Sequence, residues 1–201
     1  RICGVCTGTH YKRSIEAVEH AFNVNIPKNA RLVRNLIQGA LYVHDHIVHF
    51  YHLHALDWVD ITEALKADPK KTVKEAQKWA KVAGDRPWNA SEDNYAAVQE
   101  RVNKYIKQGR LGIFGNAYWG SKGFKLTPEQ NLIGLSHYLD ALEIQRDLGK
   151  MMAIFGGKNP HPQSFVVGGV TCVQDIKNPS RIAEFKQILK RGREFTKQAY
   201  L

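Results

Sequence analysis

From Lys28 to Leu56 no proline intervenes, and apolar residues recur at helical spacing: Leu32, Val33, Leu36, Ile37, Ala40, Val43, Ile47, Val48 and Tyr51, with Gly39 the interruption. One helix over this stretch is roughly 40 Å long. An element of that length spans a domain core, and the remaining elements must arrange themselves around it. Between Ile47 and Leu56 the pattern is apolar or aromatic nearly all round, so that end is expected to be buried.

The rest of the chain also has helical spacing. Thr127-Pro128-Glu129-Gln130 is a helix start: Thr127 can cap, Pro128 suits the first turn, and Gln130 holds the reciprocal capping-box position. Leu132, Leu135, Leu139 and Leu142 follow on one face, and Gly156-Gly157 ends the run. Asn178-Pro179 opens a third long helix through Ile182, Phe185, Ile188, Leu189 and Phe195. Shorter helices are expected from about His10 to Phe22, Thr72 to Val82 and Glu92 to Lys107. Ser164 to Val173 is expected to form a small hairpin around Gly168-Gly169, and Gly112 to Gly123 an irregular loop. The fold class is therefore mainly α, a bundle of long helices with a small β element. Residues 1–201 are read as a single domain, and an incomplete one, because Arg1 stands only two residues before a metal-type cysteine motif.

Hydrophobic residues make up 43% and charged residues 24% of the 201, an ordinary globular balance. No stretch of about 18 uninterrupted apolar residues is present, which argues against a membrane span. The net charge of +10 raises the question of nucleic acid. Half of the excess falls in residues 177–201, where Lys177, Arg181, Lys186, Lys190, Arg191, Arg193 and Lys197 face only Glu184 and Glu194. No aromatic residues alternate with these cations as a stacking surface for bases requires, so the run is read as a solvated helix face or a protein contact.

Of three cysteines, two form Cys3-Gly4-Val5-Cys6, and His10 follows four residues later. A tight glycine-containing loop can turn both sulfurs to one side, where soft thiolates select zinc, copper(I), iron or nickel over hard cations. A structural zinc site needs four protein ligands; Cys3, Cys6 and His10 supply three. Cys172 could be a fourth, but it stands alone in an apolar run and reads better as a small buried thiol. A thioredoxin-like dithiol lacks its βαβ surroundings.

The string Arg1-Ile2-Cys3-Gly4-Val5-Cys6-Thr7-Gly8-Thr9-His10 is similar to the N-terminal metal-binding motif of [NiFe] hydrogenase large subunits. His44-Asp45-His46-Ile47-Val48-His49-Phe50-Tyr51-His52-Leu53-His54-Ala55-Leu56-Asp57 resembles a second block of that family. Gly156-Gly157-Lys158-Asn159-Pro160-His161-Pro162 through Gly169 resembles a third. Order and spacing agree along the whole sequence.

The resemblance implies a nickel and an iron held by four cysteines, with cyanide and carbon monoxide on the iron. Cys3 would be a terminal nickel ligand and Cys6 a bridge between the metals. His10 would hydrogen-bond near the bridging sulfur, and Asp45 would sit beside the open face of the metal pair and help orient an arginine there. Val5 and Leu53 would line the end of a gas channel. The implied reaction is reversible heterolytic cleavage of H2 into protons and electrons. Electrons would leave through iron–sulfur clusters in a separate small subunit, since no second ligand set for such clusters stands in this sequence. The family's Asp-Pro-Cys-x-x-Cys motif, its arginine acting on H2 and its relay glutamate lie outside these 201 residues. The sequence therefore carries half of the metal site and is expected to be inactive alone. The resemblance also implies a periplasmic location, with membrane association through a redox partner, and leaves a cytoplasmic one open.

Five histidines between His44 and His54 are read as buried, hydrogen-bonded residues or partner contacts, with proton relay as the lesser reading. His161, between two prolines, is read as a hydrogen-bond donor behind the ligands. Two rivals stand beside the hydrogenase reading. One is a metal-free relative in quinone-reducing respiratory complexes, expected to have lost the cysteines; the other is a zinc-stabilised interaction module without catalysis.

Overall fold

The computed structural model describes residues 2–115 and 123–199. Among the described residues, seven α-helices and one small hairpin follow along the chain: α1 (Thr9–Ala21), α2 (Lys28–Ile47), α3 (Pro69–Val82), α4 (Glu92–Lys107), α5 (Pro128–Gly156), β1 (Phe165–Val166), β2 (Gly169–Val170), α6 (Val173–Lys177) and α7 (Pro179–Ala199). The chain divides into two compact units, Arg1–Ile47 with Glu143–Glu194 and Val48–Leu142 with Phe195–Leu201. No helix among the described residues is long and apolar enough to cross a membrane.

In the first unit α1 and α2 carry the hairpin, with Phe165 paired to Val170 and Val166 to Gly169. The hairpin is shorter than the spacing suggests. Gly168, at φ +93°, makes the reversal, and Cys172 already caps α6. A buried ion pair fastens it. Arg34 donates to both carboxylate oxygens of Glu19 at 2.9 and 2.6 Å and to the carbonyls of Val166 and Gly169 at 2.9 and 3.0 Å. The Gly168 N–H donates to Glu19 at 2.9 Å. The second half of α5 lies against α7, where Arg191 pairs with Asp147 and Glu143. A Cβ on Gly192 would stand 3.2 Å from Leu148, so the missing side chain lets the two helices close up.

The second unit is organised by the aromatic segment that follows α2. The expected single helix to Leu56 is not continuous: Val48–His54 winds as a π-helix and Ala55–Asp57 as a 3-10 turn. The wider winding places residues five apart over one another, and the His49 and His54 rings meet at 4.5 Å. It also overturns the expected all-round burial. Tyr51 and Ala55 are buried, whereas Phe50 and Leu53 are 39% and 62% exposed. The core joins Val59, Ile61 and Ala64 to Tyr95, Val98 and Val102 of α4 and Leu132 and Leu135 of α5.

Helix starts follow local chemistry. Thr127 and Gln130 exchange the two bonds of the expected capping box, at 3.0 and 3.3 Å. Ser91 caps α4 through the Asn94 N–H. Helix α3 begins at Pro69, three residues earlier than periodicity suggests, because Asp68 accepts the Lys71 N–H and Pro69 takes the first helical position. Of the expected loop from Gly112 to Gly123, Gly112–Phe114 forms a 3-10 turn and residues 116–122 lie outside the described residues.

Candidate metal centre

Cys3 and Cys6 lie on the short loop that feeds α1, both half-buried and neither in a disulfide. The Cys6 N–H donates to the Cys3 sulfur at 3.2 Å, closing the loop so that both sulfurs face the same way. The Cys6 thiol also donates to the Cys3 sulfur. That bond holds Cys3 below the ordinary thiol range and pushes Cys6 above it. The negative charge of Asp45 raises both thiols and so lies within electrostatic reach of the pair. Its carboxylate accepts a 2.9 Å hydrogen bond from His44 Nδ1.

The loop is clamped from the far end of the unit. Buried Thr7 donates through Oγ1 to Asn159 Oδ1 at 3.0 Å, and His161 Nε2 donates to the Cys3 carbonyl at 3.0 Å. His161 has φ +60°, a region that side-chain-bearing residues occupy sparsely. The segment that carries these donors is itself closed up, since a Cβ on Gly156 would stand 3.1 Å from Pro162. Gln38 of α2 steadies the start of α1 through Thr9 Oγ1 at 3.1 Å.

The structure thus brings together Cys3, Cys6 and, electrostatically, Asp45. His10 is exposed on the first turn of α1, and no group of three or more potential metal ligands occurs among the described residues. Cys172 is buried, and burial pushes its thiol up, as expected for a packing residue. None of the histidines of the second block is buried as expected, and hydrogen bonds form at His44, His46 and His52. His46 is exposed and donates to the Tyr42 carbonyl at 2.8 Å, and half-buried His52 donates to the Tyr138 carbonyl at 3.3 Å. Val5 and Leu53 both present exposed side chains.

Two soft thiolates converging from one loop, with no ring of hard oxygen donors, fit half of a site for a soft metal. A complete zinc site is not formed here, because the third and fourth ligands are missing among the described residues.

The model of a nickel-dependent hydrogenase family matches residues 1–201. This chain belongs to that family. The nickel-dependent hydrogenases similar to it include the quinone-reactive Ni/Fe-hydrogenase large chain of Wolinella succinogenes, 52% identical over 200 residues. That match takes in all of this chain and 34% of the relative. The uptake hydrogenase large subunit of Bradyrhizobium diazoefficiens is 48% identical over 210 residues, covering 100% of this chain and 34% of its own length. Among solved structures, the Ni-Fe-Se hydrogenase of Desulfovibrio vulgaris Hildenborough superposes with a TM-score of 0.65 at 32% identity, covering 100% of this chain and 31% of that one. The chain thus spans about a third of the length of the hydrogenases it matches, and its mainly helical fold is theirs.

Sequence reasoning found the cysteine pair and marked His161 as a donor. It missed Thr7 and Asn159, whose only signal was that they lie inside the first and third motif blocks. It also missed the Glu19–Arg34 pair, which no motif contains.

Proposed function

We propose that this chain supplies half of a nickel–iron centre at which H2 is reversibly and heterolytically cleaved, the role of a hydrogenase large subunit. The observation that carries the proposal is the pair of hydrogen-bonded cysteines on a loop clamped by His161 and Thr7, inside a family match over the whole chain. Cys3 and Cys6 would hold the metals as thiolates, Cys3 toward nickel and Cys6 toward both nickel and iron, with cyanide and carbon monoxide as further ligands of the iron. When bound, the metal pair supplies the electron-poor site that polarises H2. Cys3 and Cys6 would bind metal as thiolates, so assembly releases protons and weakens as pH falls. The Asp45 carboxylate, oriented by His44 Nδ1, places a fixed negative charge beside the sulfurs and is suited to hold an arginine over them. His10 would hydrogen-bond near the Cys6 sulfur, and Val5 and Leu53 are each apolar, the character that the approach of an apolar gas requires. The second cysteine pair comes from beyond these residues.

Relatives are named large chains or large subunits, which supports a smaller partner here too, carrying iron–sulfur clusters that accept the electrons. We place the assembly in the periplasm, associated with the membrane through its redox partner.

An element count of the full-length native protein tests the reading. Nickel and iron bound together are expected; zinc alone would assign the cysteine loop to a structural site and overturn it.

A further inference from the structure

In a regular helix of about 100° per residue, His49 and His54 would stand about 140° apart around the axis. The π-winding from Val48 to His54 closes that angle, and the two rings meet with centres 4.5 Å apart and planes inclined at 57°. Solvent reaches both: His49 is exposed, and the His54 side chain is 44% exposed. Among the described residues His49 has no hydrogen-bond partner. His54 Nδ1 lies 3.6 Å from the Asp57 carboxylate, three residues on. The His54 ring also lies along the indole of Trp58, at 6.4 Å and 24°.

Stacking alone brings rings together, but the distance here matches a second use. A metal–nitrogen bond of about 2.1 Å, with about 1.2 Å more from nitrogen to ring centre, fixes how far apart two imidazoles on one ion stand. For bond angles of roughly 90 to 110° their centres are about 4.6 to 5.3 Å apart. The observed 4.5 Å lies at the edge of that range, so small turns of the rings suffice for both to bind one ion. Asp57 adds what a metal-bound histidine ordinarily has, a carboxylate that favours the proton on Nδ1 and leaves Nε2 to ligate. Imidazole suits nickel, copper and zinc, whereas calcium and magnesium prefer oxygen. No third ligand joins the pair among the described residues, so water takes the other positions and the ion exchanges readily.

We propose that His49 and His54 form an exchangeable site for one divalent transition-metal ion of the nickel, copper and zinc class, held by two imidazole nitrogens. The site uses no residue of the cysteine loop and does not depend on the nickel–iron assignment. Copper(II) binds it most tightly, following the general order of affinities for nitrogen donors.

The test uses the full-length protein in the assembly in which it is purified, without a histidine tag and cleared of loosely bound ions by a mild chelator. Copper(II), nickel(II) and zinc(II) are titrated at neutral pH into wild type, His49→Gln, His54→Gln and His20→Gln. The last removes an exposed histidine of α1 as a control. Circular dichroism confirms that each variant is folded, and an element count before titration confirms that the tightly held metals are unchanged. The expected result is an exchangeable ion in wild type whose copper(II) electron paramagnetic resonance spectrum shows two nitrogen ligands. His49→Gln and His54→Gln should each lower its affinity at least about tenfold and leave one nitrogen, because the second imidazole no longer binds within the same molecule. His20→Gln should bind as wild type does. Wild-type affinity in either His49→Gln or His54→Gln, an equal loss in His20→Gln, or no exchangeable ion in wild type overturns the proposal and leaves the pair as stacked rings.

Discussion

A buried ion pair and a half-buried histidine set how several single substitutions act on this chain. Glu19 sits 5% and Arg34 1% exposed, and the arginine's hydrogen bonds to Glu19, Val166 and Gly169 leave it no route to water. Glu19→Ala strands that cation. The expected loss is about 3–5 kcal/mol, read by urea unfolding, and Glu19→Met with Arg34→Met should recover most of it. His137 is the second case: half-buried against Tyr51 and Phe195, it is desolvated and lowered from 6.5 to about 4. Between those values the unfolded chain binds a proton that the folded chain refuses, so stability is full above pH 6.5 and falls as pH drops towards 4. The shift corresponds to roughly 3 kcal/mol at its limit. His137→Phe, fitting among Tyr51 and Phe195, should flatten that slope in unfolding measured across the window. Neither group was legible in the sequence. A lone Glu, Arg or His has no period, and only the fold shows that its surroundings are dry. The cysteine pair was legible because both sulfurs and the glycine that turns them lie within four consecutive residues.

At the scale of elements, periodicity and caps carried most of the prediction. Helix α4 runs from Glu92 to Lys107 as expected, and the capping box of α5 forms as written. Periodicity failed after Ile47, where seven residues are too few to separate a 3.6-residue turn from a wider one when nearly all are apolar or aromatic. It also hid the start of α3, whose signal was the Asp68-Pro69 dipeptide rather than any spacing. Glycines inside helices divide by what surrounds them. A Cβ on Gly134 of α5 would stand 2.7 Å from Val59 Cγ2, and the β-branched Val59 cannot turn away. Gly134→Ala should therefore destabilise by about 1–3 kcal/mol despite its gain in helix propensity. Thermal unfolding measures this, and adding Val59→Ala should show a coupling between the two sites.

At the scale of the whole molecule, each compact unit draws on stretches of chain far apart in sequence, and the cysteine loop is the sharpest instance. Thr7 and Asn159 are 152 positions apart, Cys3 and His161 158. Spacing rules see nothing at that range, which is why the loop was legible while His161 was marked only as a donor, without its target, and the Thr7–Asn159 bond was missed. Groups that orient a ligand loop from behind are worth about 10–100-fold in metal affinity. His161→Ala and Asn159→Ala in the full-length protein should each speed nickel loss to a chelator by that order while leaving the circular dichroism unchanged. An unaltered rate in both would remove the clamp from the account. The same distance orders events during synthesis. The ribosome delivers Cys3 and Cys6 among the first residues of this stretch, and the partners that hold their loop follow some hundred and fifty residues later. Until Asn159 and His161 have emerged and folded back, the two thiols are held by the loop's own closure alone. The nascent chain therefore carries a cysteine pair that is not yet in its final setting, and the geometry described here is reached only after that later segment has been made.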